Sequence, residues 1–74
     1  MPFIKVQIIE NTFTPEQKKA VITGLTDAMV AVEGEPFRPV TWVTIEEVKE
    51  GSWGMGGRPL HASDVKRIKE GGRL

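Results

Sequence analysis

The residue of this chain best placed to do chemistry is its second, a proline directly after the initiator methionine. A residue as small as proline normally lets the methionine be trimmed during synthesis, and the trimmed chain begins with a secondary amine. That amine carries a basic lone pair. With Met1 retained, the same nitrogen is an amide and has none. An exposed α-amino group titrates near pH ~8, and burial or a nearby cation lowers that value by disfavouring the ammonium. A value near neutrality suits a general base, which must be partly deprotonated yet still basic. Pro2 also has a plainer reading as the opening residue of a strand, where no ladder hydrogen-bond donor is required.

Other chemistries find little material. The chain has no cysteine, which excludes a disulfide framework and a thiolate metal site. A single histidine, His61, has no helper ligands at metal-binding spacing and reads most simply as an exposed loop residue. Gly54, Gly56 and Gly57 are not followed by the Lys-Ser/Thr of a phosphate loop, so they read as hairpin geometry. Ten basic residues balance ten acidic ones, so no nucleic acid or anionic membrane is expected as partner. The run Lys66-Arg67-x-Lys69 accordingly reads as a solvated face. No apolar run is long enough to span a membrane and the start lacks a signal-peptide core, so the expectation is a soluble cytoplasmic protein.

The elements that must position Pro2 are legible. Residues 3–9 alternate as a strand, with Ile4, Val6 and Ile8 on one face and Phe3 and Ile9 on the other. Thr14-Pro15-Glu16-Gln17 is a helix start, with a capping threonine, a proline in the first turn and a glutamine completing a capping box. Val21, Leu25, Ala28, Met29 and Val32, widened by Ile22, predict the buried stripe of a helix over about 15–33, stopped by Gly34 and Pro36. The β-branched stretch 39–48 predicts a second strand, parallel to the first through a right-handed crossover. The glycine-rich stretch 50–59 predicts a tight hairpin or binding loop, and residues 63–69 a short helical turn. The whole is one small α/β domain over 1–74, a β-α-β protomer with a C-terminal hairpin: a core at 2–58 and an extension at 59–74. Two parallel strands and one helix leave open edges and an uncovered face, and a chain this short buries only about 60% of its unfolded surface. Oligomerisation is therefore the physical expectation.

Met-Pro before a short apolar strand, the Thr-Pro-Glu-Gln-Lys-Lys helix start, the β-branched strand and Trp53-Gly54-Met55-Gly56-Gly57 together resemble the tautomerase superfamily. The resemblance is to its short-chain 4-oxalocrotonate tautomerase group and covers roughly residues 2–58. It implies two protomers forming a four-stranded sheet, and a homo-oligomer that is a hexamer built as a trimer of dimers. It also implies a cofactor-independent isomerase in which Pro2 moves a proton on a small enol or dienol of a 2-oxo or related carbonyl acid. Trp53 carries over as a pocket wall able to stack on a conjugated substrate, against the plainer reading of an interface anchor.

The sequence departs from the family at its two arginines, one expected in the loop after the first strand and one on the second strand. Those positions read Asn11-Thr12-Phe13 and Thr41 or Trp42. Loss of a charged donor to an oxyanion commonly costs about 3–4 kcal/mol of barrier, so other groups must serve if the reaction is fast. Arg58 and then Arg38 are the candidate cations; Thr12, Thr41 and the Trp42 indole are candidate neutral donors. Each has a structural alternative: ion pairing for Arg58, a surface position for Arg38 and core packing for Trp42. Two further readings stay open. One is a hydratase, dehalogenase or decarboxylase of the same superfamily, with Glu46, Glu47 or Glu10 activating water. The other is a non-catalytic subunit of a hetero-oligomer.

Overall fold

The computed structural model describes residues 1–73. Strand β1 (Phe3–Ile9) leads into helix α1 (Pro15–Glu33), a 3-10 turn (Glu35–Val40) and strand β2 (Trp42–Val48); a hairpin of β3 (Trp53–Met55) and β4 (Arg58–Leu60) precedes helix α2 (Ala62–Lys69). β1 and β2 pair in parallel from Phe3↔Trp42 to Ile9↔Val48, and β3 and β4 form a separate antiparallel pair. This is the expected β-α-β unit with its hairpin.

Local chemistry sets the boundaries. The Thr14 hydroxyl accepts from the Gln17 amide at 3.1 Å and the Gln17 side chain accepts from the Thr14 amide at 2.9 Å, so two orphan donors are satisfied reciprocally. α1 ends at Gly34, whose φ of +108° lies where a side chain is disfavoured and whose amide reaches the Val30 carbonyl at 2.8 Å. The second strand starts at Trp42 rather than at residue 39 as the β-branched run predicted. Pro36 and Pro39 fix φ near −65°, and the stretch coils instead, with the Phe37 amide on the Gly34 carbonyl and the Thr41 amide on the Arg38 carbonyl. The helical turn expected at 63–69 is a two-turn helix, because the Asp64 carboxylate reaches back to the His61 amide at 2.9 Å. His61 thereby becomes the residue that opens α2 rather than a free loop position.

The buried stripe of α1 is rotated from the one the pattern predicted. Val21, Leu25 and Met29 do turn inward, but Ala28 and Val32 are exposed, Val32 at 87%, and Val30 is buried instead. The last turn points Val30 and Glu33 at the start of β2, where Glu33 meets the Thr41 hydroxyl. On the other side of the sheet Phe3, Lys5, Gln7, Trp42, Thr44 and Glu46 are all exposed among the described residues. Lys5 and Glu46 pair at 3.0 Å across it.

Only Ile9, Val30 and Leu60 are buried apolar residues among those described. The radius of gyration is 15.0 Å, where a compact chain of this length has about 11 Å. The accessible surface is 5373 Å², against roughly 4,500 Å² for a compact protein of this mass. A protomer this open does not close a core alone. Folding coupled to assembly makes the midpoint of thermal unfolding depend on protein concentration. Circular dichroism melts across a hundredfold dilution are expected to show a falling Tm; a Tm independent of concentration would mean the lone protomer is self-sufficient.

Candidate active site

The residues singled out by sequence fall into two groups at opposite ends of β1. At its start, Pro2 is half-buried and its carbonyl accepts from the Trp42 amide at 3.0 Å. Beside it Phe3 and Trp42 meet edge to face, ring centroids 6.3 Å apart, and both rings remain more than half exposed. Edge-to-face packing suits the ring quadrupoles, and two exposed rings next to a candidate base form an apolar wall with nothing against it. Thr41, one residue before Trp42, is buried, and its hydroxyl lies against the Glu33 carboxylate and 2.8 Å from the Phe37 carbonyl. Its hydrogen-bonding capacity is therefore engaged within the protomer.

Arg38 also belongs to this half of the molecule. Its guanidinium donates to Asp27 at 2.7 Å and to Glu35 at 3.0 Å, and the Glu35 and then the Asp27 hydrogen bonds hold its pKa above the usual arginine value. Two carboxylates already occupy the fork.

The second group gathers past the other end of the strand. β1 runs seven residues, so at about 3.3 Å each its two ends lie roughly 20 Å apart. The Thr12 hydroxyl donates to the Ile9 carbonyl at 2.6 Å, closing the strand end. Trp53 lines an open groove with Gln7, Val48, Ser52 and Gly54. The hairpin that carries it turns through Gly56 and Gly57, at φ of +60° and +84°, the two left-handed positions of a tight two-residue turn. Alternation then puts Trp53, Met55, Arg58 and Leu60 on one face of the hairpin.

Three residues that the sequence reading did not single out for a site hold this end together. Asp64 is nearly buried; its carboxylate accepts from the His61 amide and from Arg58 at 2.9 Å, and it also takes Arg67. Glu50 accepts from the Asn11 side chain at 2.9 Å and from the Ala62 amide at 2.6 Å, tying the loop after β1 to the start of α2. Asn11 adopts φ of +67°, a conformation that asparagine tolerates better than most residues. The one local signal was Asp64 three residues after His61, the spacing of a capping box without its usual hydroxyl. The link from Asn11 to Glu50 spans 39 residues and leaves no local trace.

The His61 amide, then Arg58 and Arg67, hold the Asp64 carboxyl below its ordinary range. A carboxylate with a depressed folded pKa stabilises above its unfolded value of about 3.9, and that contribution disappears as pH falls through the folded value. Acid titration followed by amide NMR is expected to release α2 from the hairpin below pH ~4, and Asp64→Asn should remove that step and lower Tm at neutral pH. An unchanged acid transition in the variant would show that Asp64 does not control the docking.

Comparison with known proteins fits this arrangement. The family model described as "Tautomerase enzyme" matches residues 2–63. A probable tautomerase of Dickeya dadantii is 41% identical over 61 residues, covering 81% of this chain and 88% of the relative. The 2-hydroxymuconate tautomerase of Pseudomonas putida is 42% identical over 57 residues, 77% of this chain and 87% of that protein. Among solved structures, a 4-oxalocrotonate tautomerase isozyme from Methylibium petroleiphilum superposes with a TM-score of 0.70 at 38% identity, covering 89% of this chain and all of the other. With its β-α-β core, hairpin and leading Pro2 within the matched span, this chain belongs to the tautomerase family, in the 4-oxalocrotonate tautomerase-like group.

Proposed function

We propose that this chain is a cytoplasmic, cofactor-independent isomerase that ketonises a small enol or dienol of a 2-oxo acid, with Pro2 of the trimmed chain as the base. Loss of the exposed Met1 turns the Pro2 nitrogen into a secondary amine. The observation that carries the reading is the setting of Pro2: half-buried, its carbonyl held by Trp42, beside an aromatic pair with nothing packed over it. Burial of that amine in an assembled site would disfavour the prolinium and so favour the neutral, proton-accepting form. The amine takes the proton of the enol hydroxyl as the C=O forms, and the proton returns to the far carbon of the former double bond. One O–H bond breaks and one C–H bond forms, with no net redox change.

Trp53 lies by Gln7, five residues along β1 from Pro2 and so about 16 Å away at about 3.3 Å each. A site that uses both would take Pro2 from one copy and the hairpin from another. The reading therefore includes a homo-oligomer, a hexamer arranged as a trimer of dimers. Its support is the uncovered face bearing Phe3 and Trp42 and the scarcity of buried apolar residues. Of the three carboxylates that could activate water, Glu46 and Glu47 are paired with Lys5 and Lys18, and Glu10 follows the far end of β1 from Pro2, which favours isomerisation over hydration.

Pro2→Ala is expected to slow ketonisation of the enol of phenylpyruvate by roughly two to four decades, the usual contribution of a positioned general base. In the unsubstituted protein kcat/KM should rise with pH through the amine pKa, because only the neutral amine accepts a proton. An unchanged rate in the variant, or a flat pH profile, would remove Pro2 from the mechanism.

A further inference from the structure

We infer that Arg58 and Arg67, set by Asp64, form a carboxylate-binding fork that takes the acid group of a small planar conjugated substrate. The inference builds on the isomerase reading and names what receives the substrate's charge where the two expected arginines are absent. Both guanidiniums direct Nη2 at the same oxygen of Asp64, so they converge side by side. Their charges total two against one carboxylate, and the surplus is positive. Among the described residues, Nε and Nη1 of both arginines have no hydrogen-bond partner, and each side chain is 49% exposed.

Asp64 behaves differently from its two partners. Its side chain is only 9% exposed, and it is fixed to the His61 amide at the start of α2. It is a rigid anchor that restrains two flexible cations, a positioning residue rather than a ligand-binding one. Pre-ordered guanidiniums with free N–H groups match the planar, two-oxygen geometry of a carboxylate better than a lysine ammonium would.

The neighbouring surface selects the body of the ligand. Arg58 opposes Met55, and Trp53 opposes Leu60, so Arg58 and Trp53 are diagonal neighbours on one face of the hairpin. Diagonal pairs in such a ladder lie about 7–8 Å apart. That span fits a conjugated acid whose flat chain lies on the indole while its carboxylate enters the fork.

Cinnamate, a planar conjugated acid that cannot ketonise, separates this idea from the proline chemistry. Calorimetric titration of the assembled protein is expected to show cinnamate binding at least tenfold tighter than cinnamamide, with a preference that weakens in salt. Arg58→Gln and Arg67→Gln should each reduce that preference about tenfold, and Arg67→Lys should keep part of it. Pro2→Ala should leave it intact, so a failure of the base assignment appears in the ketonisation rate and not here. A wild-type protein with no acid-over-amide preference would overturn the fork. So would variants that lower Tm yet bind cinnamate and cinnamamide in the original ratio, because the triad would then only fasten α2. If a glutamine variant does not fold, the wild-type ratio and Arg67→Lys decide the matter.

Discussion

A two-stranded parallel sheet with one helix has one covered face and one bare face, and the rest of this molecule follows from that. α1 covers the side of β1 and β2 that carries Ile4, Val6, Val43 and Ile45. The other side keeps Phe3 and Trp42 in the open. Parallel strands are normally buried on both faces, because each crossover adds cover. Here a single crossover supplies half the cover, and the deficit appears as an extended radius and a large surface. The hairpin and α2 do not remedy it: they pack past the end of the strands and build a second, polar cluster there.

That division also organises the chemistry. Pro2 and its aromatic neighbours stand at the start of β1, while the groove lies toward its far end, by Gln7, and leads to the hairpin with the arginine pair. On the proposed reading, the candidate base and the arginine pair each supply part of one site. A head-to-tail contact between identical chains would set the start of β1 of one copy against the hairpin of another. Were the contacts that cover the bare face also to complete the proposed site, stability and activity would share one requirement.

Much of this was legible in the sequence where the cause is local. The cap at Thr14, the stop at Gly34, the strand at 3–9 and the glycine turn at 56–57 rest on residue type and spacing, and each lies where expected. The start of β2 was misplaced because β-branched residues at 40 and 41 masked two prolines that favour a tight coil. The stripe on α1 was rotated because helical periodicity fixes only that one face is apolar. The register against β2, with Glu33 on Thr41, decides which face turns in. The polar clusters were least legible. Glu50 with Asn11, and Arg58 with Asp64 and Arg67, are joined by the docking of α2 on the hairpin, and no short-range pattern encodes that docking. Thr41 and Arg38, chosen as donors for their types, are already bound to Glu33 and to Asp27 and Glu35.

The claim that a working site is made from two copies of this chain can be tested by subunit complementation. Chains bearing Pro2→Ala and chains bearing Arg58→Gln are unfolded separately, mixed and refolded together, and ketonisation of the enol of phenylpyruvate is measured. A shared site predicts activity in the mixture that neither variant shows alone, because some sites combine an intact Pro2 with an intact Arg58 from another chain. Activity no greater than the sum of the two parents, in a mixture shown by native mass spectrometry to contain hybrids, would contradict the account.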